Sequence, residues 1–324
     1  MSAVAKDMIV PIFNQICIET SALCNRKCVF CPNFSTARPD EQMSWDLIKK
    51  MVAELREMKY TGSVANFIYN EPFRDPRALD IIRHFASELP RATIHTSTNC
   101  DYFKSKKDIA DAFDAGVHTM VCNIYSAADG GSDPKKVARG VEAARKRADQ
   151  VERWLTELGV DQKSSPYAPR APRGVRIARV ERKYGIAGGT KKLGSFELQN
   201  RSGNIEHILG GTTEPLEKMC VRPWRVLNIN WTGQAIICCN DYHGATNFGN
   251  VAERTLSEIW QHPGFGVYRL MLQNKNRNIA MCDTCDYKGG SYPHMIKRVT
   301  LGSEELDNEF VRKTAARHAK TKGK

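Results

Sequence analysis

Short apolar stretches alternate with amphipathic ones through the first two hundred residues of the chain. The apolar stretches are six to nine residues long and rich in β-branched residues, which is typical of buried strands. The amphipathic stretches repeat apolar residues every three or four positions, as a helix with one buried face does. This alternation predicts an α/β fold in which helices cover a parallel sheet. The predicted strands are 15–20, 64–69, 92–98, 118–126 and 175–181, and the predicted helices are 45–58, 75–89, 105–116 and 134–158.

The pattern changes after about residue 205, where the strands become shorter and cysteines more frequent. Residues 225–240 have the pattern of two strands around a Thr-Gly turn, which predicts a β-hairpin. Thr255 and Glu258 have the spacing of a capping box, and they predict a short helix over 255–260. We therefore predict a first domain over 10–205, a smaller cysteine-rich domain over 206–295 and a basic tail over 296–324.

Length and composition indicate a globular protein. The chain has 324 residues, of which 41% are hydrophobic and 26% charged, and both fractions are ordinary for a water-exposed fold. No run approaches the ~18 apolar residues of a membrane span, and the first residues have no secretory signal pattern. We therefore expect a cytoplasmic protein that does not enter the membrane and whose eleven cysteines are reduced and free to bind metal.

The net charge of +12 is concentrated in two places. Residues 131–192 carry a net charge of +9 and residues 311–324 carry +6, so the rest of the chain is slightly acidic. A solvated helix face and a basic tail explain this distribution, and a docking surface for an acidic substrate, peptide or nucleic acid is the alternative. The charge does not indicate a surface-wide nucleic-acid footprint.

Three cysteines follow the first predicted strand within eight residues, "CNRKCVFC". Cys24, Cys28 and Cys31 have the spacing C-x3-C-x2-C, and no fourth cysteine lies nearby to complete a structural zinc site. Three thiolates suit a four-iron cluster that keeps one iron open, since such clusters are otherwise held by four cysteines. Parallel α/β folds place their chemistry at the carboxyl ends of the strands, which is where this loop is predicted to lie.

This motif resembles the cluster motif of the radical S-adenosylmethionine enzymes. The resemblance implies that the first domain is a partial (β/α)6 barrel, similar to a TIM barrel, with the smaller domain following it. It also implies that S-adenosylmethionine binds the open iron of a 4Fe-4S cluster. One electron, from a donor such as flavodoxin or ferredoxin, then yields a 5′-deoxyadenosyl radical that abstracts a substrate hydrogen.

Further segments resemble this family at the ends of later strands. An aromatic residue, Phe30, precedes the third cysteine, as it does in the family. The segment "YNEPFRDP" keeps the Glu-Pro of the family's Gly-Gly-Glu-Pro, although Tyr69 and Asn70 replace both glycines. The segment "TSTNC" resembles the family's Thr-Asn-Gly, and an ordinary strand-end role is the alternative for its residues. The resemblance implies cofactor contacts by Phe30, Asn70, Glu71, Pro72, Ser97, Thr98, Asn99 and Asn123.

A second set of cysteines lies in the smaller predicted domain. Cys220, Cys238, Cys282 and Cys285 resemble the cysteines of the SPASM extension, and more closely its shortened "twitch" version. The resemblance implies one auxiliary 4Fe-4S cluster with all four corners taken, and a zinc ion on the same thiolates is the alternative. Cys239 is predicted to pack in the core, because it adjoins Cys238 and faces the other side of its strand.

The resemblance implies an oxidoreductase, a dehydrogenase of a small polar molecule such as a carbohydrate or aminocyclitol. Arg201 lies at the seam between the two predicted domains, where its guanidinium is a candidate to orient substrate oxygens or assist proton removal. An ordinary linker salt bridge is the alternative for this arginine. The alternative function is a maturase that modifies a ribosomally synthesised peptide. A metal-stabilised protein that binds nucleic acid through its basic tail is the hypothesis that the three clustered cysteines favour least.

Overall fold

The computed structural model describes most of the chain. The predicted tail, 296–324, lies outside the described residues, as do parts of the basic stretch at 131–192 and of the segment that follows residue 205. The described residues are 12–126, 134–162, 176–183, 192–193, 196–205 and 214–289.

The chain forms two compact units. The first contains Cys17–Leu198, and the second combines residues 12–16 with the described residues from Gln199 onwards. The division at Leu198 falls seven residues before the predicted boundary at 205. The turn that carries Arg201 is therefore part of the second unit.

A parallel sheet forms the centre of the first unit. Its strand order is β1-β2-β3-β4-β6-β5, and β2, β3, β4 and β6 pair in parallel, as the alternation of elements predicts. A small antiparallel pair, β7 with β8, follows. The strands are β1 (Gln15–Ile18), β2 (Ser63–Ala65), β3 (Thr93–Thr98), β4 (Thr119–Tyr125), β5 (Asp161–Gln162), β6 (Ile177–Lys183), β7 (Lys192–Leu193) and β8 (Phe196–Glu197).

Helices connect these strands and bury one face each. The first begins where predicted, because the Ser44 side chain accepts a hydrogen bond from the Leu47 N–H at 3.3 Å. The third begins with a capping box formed by Ser105 and Asp108. Apolar residues at helical spacing make the buried faces, as in the first helix with its buried Ile48, Met51, Val52 and Leu55. The helices are α1 (Trp45–Glu57), α2 (Ala78–Glu88), α3 (Lys106–Asp114) and α4 (Pro134–Glu157).

The second predicted strand, 64–69, is shorter in the structure because β2 ends at Ala65. The backbone after it is held by side chains instead of a neighbouring strand. The Tyr69 N–H donates to the Glu19 carboxylate at 2.9 Å, and its carbonyl accepts from the Asn33 amide at 3.0 Å. The segment that resembles the family motif is thus a fixed loop at the carboxyl end of the sheet.

Among its described residues, the second unit contains the predicted hairpin and three short helices. Strands β9 and β10 pair antiparallel, and Gly233 turns between them with a φ of +85°, a conformation that favours glycine. Aromatic rings fill the core beneath, with Phe248 and Phe265 stacked at 4.0 Å. The elements are β9 (Val226–Ile229), β10 (Ala235–Ile236), α5 (Arg222–Arg225), α6 (Leu256–Trp260) and α7 (Pro263–Gln273).

The helix α6 begins at the predicted capping box, whereas α7 was not predicted. Gly264 and Gly266 weaken its helix propensity, and the burial of seven of its eleven residues compensates. Its first turn is fixed by Pro263 and by the His262 ring, which accepts the Gly264 N–H at 3.0 Å. Among the described residues of both units, no helix is long and apolar enough to cross a membrane.

Candidate active site

The structure brings the three clustered cysteines together on the loop between β1 and α1. The Cys31 N–H donates to the Cys28 carbonyl at 2.8 Å, which folds the loop back on itself. Burial, with a smaller contribution from the charge of Cys31, raises the pKa of Cys24 to about 11 and that of Cys28 to about 12. The three sulfurs therefore lie close enough together to affect one another's charge. Because they are buried, their thiolate forms need positive charge beside them. This donor set fits the three-cysteine holder of an iron-sulfur cluster.

A charged clamp fixes this loop against the ends of β3 and β4. The Arg26 guanidinium binds both carboxylate oxygens of Asp101, at 2.6 and 2.5 Å, and donates to the Tyr125 carbonyl at 3.3 Å. The Asn25 amide donates to the same carboxylate at 2.7 Å. Although burial opposes it, hydrogen bonding by Arg26 holds the pKa of Asp101 below its usual range. The loop between Cys24 and Cys28 is thus held by an ionised pair.

Glu71 contacts two of the other residues that the resemblance singles out, Thr98 and Asn99. Its carboxylate accepts the Thr98 hydroxyl at 2.7 Å, the Asn99 N–H at 2.7 Å and the Phe73 N–H at 3.3 Å. The Asn99 amide in turn donates to Asn25 at 2.8 Å and approaches the Cys24 sulfur at 3.8 Å. The carboxyl end of β3 is therefore connected to the cysteine loop through Glu71 and Asn99.

Asn70 and Pro72, the neighbours of Glu71, are buried and shape the loop that follows β2. The Asn70 amide donates to the Thr20 hydroxyl at 3.4 Å and to the Asn66 carbonyl at 3.3 Å. Its side chain therefore bridges the segments after β1 and β2. Pro72 begins a short 3₁₀ turn that Glu71 caps.

Ser97 and Asn123 lie on the face of the sheet opposite the helices. Arg182 on β6 pairs with Asp149 and Glu152 of α4, so its side chain points to the helix layer. Side chains alternate along a strand, and the partner of Asn123 is Glu181, which therefore points the other way. The Asn123 amide donates to the Ser97 hydroxyl at 2.7 Å on this inner face.

Phe30 lies close to the same strand. Its ring packs against the ring of Tyr125 at 5.1 Å, two residues beyond Asn123 on β4. The Arg26 guanidinium carbon lies 5.7 Å from the centre of the Tyr125 ring. These aromatic surfaces beside the cysteine loop fit the stacking of a flat heterocycle such as adenine.

The second unit gathers its four predicted cysteines from three separate segments. Cys220 precedes α5, Cys238 follows β10, and Cys282 with Cys285 lies in a turn after α7. Burial raises the pKa of the Cys282 thiol, and the charges of the other three thiols raise it further, so all four lie within electrostatic reach. This donor set fits the four-cysteine holder of a four-iron cluster.

Among the described residues, no three His, Cys, Asp or Glu side chains are close enough together to share a single metal ion. A four-iron cluster holds its thiolates at separate corners, so its ligands stand farther apart than those of one ion. Cys239 does not pack in the core as predicted. Its side chain is half-buried, and its thiol approaches the Asn240 side-chain oxygen at 3.9 Å.

Arg201 lies on a turn that is hydrogen-bonded to Thr284 and Asp286, the residues on either side of Cys285. The buried Asn200 amide donates to the Thr284 carbonyl at 2.6 Å, and its N–H donates to the Asp286 carboxylate at 2.9 Å. Arg201 and Ser202 both have left-handed backbone conformations, with φ of +54° and +56°. Such strain in non-glycine residues costs about 1–3 kcal/mol each and persists only where the surroundings impose it.

Several of these contacts had no signal in the sequence. The pair formed by Arg26 and Asp101 spans 75 residues, and the pair formed by Glu19 and Arg38 is bidentate at 2.8 Å in a buried place. The identity of the partner in such a pair depends on the strand register. The sequence showed only that Arg26 lies between two cysteines of the motif and that Glu19 lies at the end of a buried strand, which indicates that each needs a partner but not which one.

Family models match both units. A model described as the Radical SAM superfamily matches residues 18–156. A model described as SPASM, an iron-sulfur cluster-binding domain, matches residues 220–286 and so includes all four cysteines of the second set. The two matches fall on either side of the division that the structure shows.

One curated relative and two solved structures resemble the chain along most of its length. The S-adenosyl-L-methionine-dependent 2-deoxy-scyllo-inosamine dehydrogenase of Niallia circulans is 23% identical over 278 residues, covering 85% of this chain and 93% of that protein. The crystal structure of BtrN in complex with AdoMet and 2-DOIA has a TM-score of 0.62 at 20% identity, covering 85% and 94%. An open conformation of BtrN has a TM-score of 0.55 at 17% identity, covering 85% and 93%. At these identities the solved structures show the fold.

Proposed function

The chain belongs to the radical S-adenosylmethionine superfamily, and from that premise we propose that it dehydrogenates one alcohol carbon of a small polar molecule. The substrate class is the aminocyclitols or related carbohydrates, since the curated relative is a dehydrogenase of 2-deoxy-scyllo-inosamine. The bound cluster and S-adenosylmethionine supply a 5′-deoxyadenosyl radical, which abstracts a substrate hydrogen. The chain's own residues position the substrate, help to remove its hydroxyl proton and hold the acceptor of the remaining electron.

The observation that carries the proposal is the second set of four gathered thiols. Oxidation of an alcohol carbon to a carbonyl removes a hydrogen atom, a proton and one electron. The hydrogen atom would leave as part of 5′-deoxyadenosine, and the hydroxyl proton would pass to a base or to water. The electron then needs an acceptor, and a cluster with all four corners taken by cysteine is suited to accept it.

Cys24, Cys28 and Cys31 hold the first cluster in this proposal, and the residues gathered around them position S-adenosylmethionine. Phe30 and Tyr125 offer ring surfaces, and Asn123 with Ser97 offers polar groups on the inner face. Glu71 acts as a positioning residue, because its carboxylate is fully engaged by Thr98, Asn99 and Phe73. Asn70 and Pro72 shape the same loop.

Arg201 is proposed to orient the substrate hydroxyl or assist loss of its proton. Its support is the strained turn, which two hydrogen-bonded contacts of Asn200 hold against the segment of Cys282 and Cys285. A guanidinium keeps its charge at every physiological pH, so it stabilises a developing alkoxide without itself having to titrate. Flavodoxin or ferredoxin is the proposed donor of the initiating electron. The cytoplasm is the proposed compartment, since clustered thiols need reducing conditions.

The test is to supply anaerobically reconstituted protein with S-adenosylmethionine, dithionite and a panel of aminocyclitols and carbohydrates, 2-deoxy-scyllo-inosamine among them. We expect one unlabelled compound to lose two mass units. When the same compound is deuterated at the oxidised carbon, the deuterium should appear in 5′-deoxyadenosine. Cys24→Ala, Cys28→Ala and Cys31→Ala should each abolish 5′-deoxyadenosine formation. Arg201→Lys should lower kcat for the alcohol while leaving 5′-deoxyadenosine formation without substrate unchanged.

Cleavage of S-adenosylmethionine by the triple alanine variant would contradict the superfamily mechanism itself. Transfer of deuterium to 5′-deoxyadenosine from a peptide, with none from any alcohol in the panel, would contradict the dehydrogenase proposal and favour a peptide maturase. Unchanged turnover in Arg201→Lys would leave the strained turn without a catalytic role.

A further inference from the structure

Asn240 lies between two of the four gathered thiols of the second unit. It follows β10, and its side chain is 0% exposed. Its backbone N–H donates to the Cys238 sulfur at 3.4 Å, and its side-chain amide donates to the Cys285 sulfur at 3.6 Å. The Asn240 carbonyl accepts the Asn204 amide at 2.9 Å, which holds the residue in place. One buried residue thus contacts thiols that are 47 positions apart in the chain.

Two guanidinium groups add positive charge around the same thiols. Arg222 lies two residues after Cys220, and its guanidinium lies over the Tyr287 ring at 3.9 Å. Arg277 is buried, and it donates to the carbonyls of Lys218 and Tyr287 at 2.7 Å each. Burial makes negative charge at these thiols costly, and the two guanidinium groups partly offset that cost.

A donor aimed at a thiolate stabilises the more negative of two redox states. The reduced form of a four-iron cluster carries one more negative charge than the oxidised form, so N–H donors and nearby cations raise its reduction potential. We propose that Asn240, through its side-chain amide, raises the reduction potential of the cluster held by the second set of cysteines. The inference rests on the proposed function in one respect, because that cluster is there the acceptor of the substrate's electron.

The side chain, and not the backbone, is the part that distinguishes Asn240. Any residue at this position has a backbone N–H for Cys238, whereas only a side-chain donor of this length reaches Cys285. The first set of cysteines also receives donors, from the Arg26 N–H at 3.4 Å and the Asn99 amide at 3.8 Å, but both reach Cys24 alone. A measurement must therefore separate the two clusters.

The experiment uses the full chain with Cys24→Ala, Cys28→Ala and Cys31→Ala, so that only the second set can hold a cluster. Asn240→Leu is added, which keeps the branched heavy-atom shape of the side chain and removes the donor. We expect iron content to stay at about four per chain while the potential falls in an anaerobic redox titration followed by electron paramagnetic resonance. The expected loss is about tenfold in the equilibrium constant for reduction, which is about 59 mV for a one-electron couple.

Asn228→Leu is the matched control, since Asn228 is a buried asparagine of β9 in the same unit whose amide donates to the Val226 carbonyl. It should leave the potential unchanged. Asn240→Ser is the second variant, in case leucine at this position lowers iron content. The titration needs neither S-adenosylmethionine nor substrate, so its result is independent of whether an alcohol is oxidised.

An unchanged potential in an Asn240 variant with full iron content would overturn the proposal. An equal shift in Asn228→Leu would overturn it too, because the effect would then come from the unit in general. Loss of iron in both Asn240→Leu and Asn240→Ser would assign the residue to cluster retention instead of potential, which also contradicts the proposal.

Discussion

At the scale of single residues, Glu71 combines burial with three hydrogen bonds, and the two have opposite effects on its charge. The side chain is 3% exposed. Burial raises the pKa of Glu71 to about 7, against the lowering effect of hydrogen bonds from Asn99, Thr98 and Phe73. The folded protein therefore binds a proton at this carboxyl more tightly than the unfolded chain does.

This difference predicts how stability changes with pH. A group whose pKa is raised on folding contributes stability that is fully present below the unfolded value and is lost as pH rises through the folded value. The loss for Glu71 should thus fall between about pH 4 and pH 7, and it amounts to about 3 kcal/mol at most. Urea unfolding of Glu71→Gln and of wild type at pH 5 and pH 8 should show a flatter pH dependence in the variant. Parallel pH dependences in the two proteins would contradict the assignment.

Around the three clustered cysteines, some residue roles could be predicted from the sequence and others could not. Spacing alone indicates the cluster at Cys24, Cys28 and Cys31, because three thiols within eight residues can converge when the segment forms a loop. The clamp formed by Arg26 and Asp101 could not be predicted, because their contact depends on how the end of β3 meets the loop. Cys239 was misassigned, because the strand ends at Ile236 and the alternation of faces ends with it.

At the scale of elements, two turns contain glycines with left-handed backbone but different surroundings. Gly116, between α3 and β4, has a φ of +117°, and a Cβ there would lie 2.3 Å from the Cβ of Ala86 on α2. Gly159, after α4, has a φ of +64°, and a Cβ there would meet nothing within 4 Å. Only the first turn therefore depends on close packing between neighbouring helices.

Alanine at each glycine separates backbone strain from packing. Gly159→Ala should lower the free energy of unfolding by about 1 kcal/mol, the cost of a left-handed conformation with a Cβ. Gly116→Ala should lower it by about 3 kcal/mol or more, since strain and overpacking add. Denaturant unfolding of the two variants measures both values. Equal losses would show that α2 moves away from the added methyl group without cost.

The elements themselves follow the sequence closely where one strong signal sets them. Ser44 fixes the start of α1, and the capping box of Thr255 and Glu258 fixes that of α6. The helix α7 could not be predicted because its stability comes from burial, with Gly264 and Gly266 masking its periodicity. The second strand was predicted too long because apolar residues continue past Ala65 into a loop that side chains hold.

At the scale of the whole molecule, each unit carries its own set of cysteines, and this predicts an additive metal content. Wild-type protein should contain about eight irons and eight labile sulfides per chain, as two four-iron clusters require. The Cys282→Ala, Cys285→Ala double variant should retain about four irons and still form 5′-deoxyadenosine without substrate. Iron and sulfide analysis of the reconstituted proteins measures both.

Circular dichroism of the double variant is the necessary control, because removal of a metal site can unfold a small domain. One zinc and about four irons in the wild type would contradict an iron-sulfur assignment of the second set. Full product formation by a well-folded double variant would show that the second set is structural and accepts no electron.

The division of the chain also has a consequence for the order in which the protein is made. The first unit is one unbroken stretch, whereas the second needs Phe13 and Asn14, which contact Trp260 at 5.4 Å and the Arg225 carbonyl at 2.8 Å. On the ribosome, those early residues must wait for partners made more than two hundred positions later. At ~5–20 residues per second, the first unit is complete several seconds before the second set of cysteines emerges. The nascent chain therefore completes the three-cysteine loop of the first unit before it completes the four-cysteine set of the second.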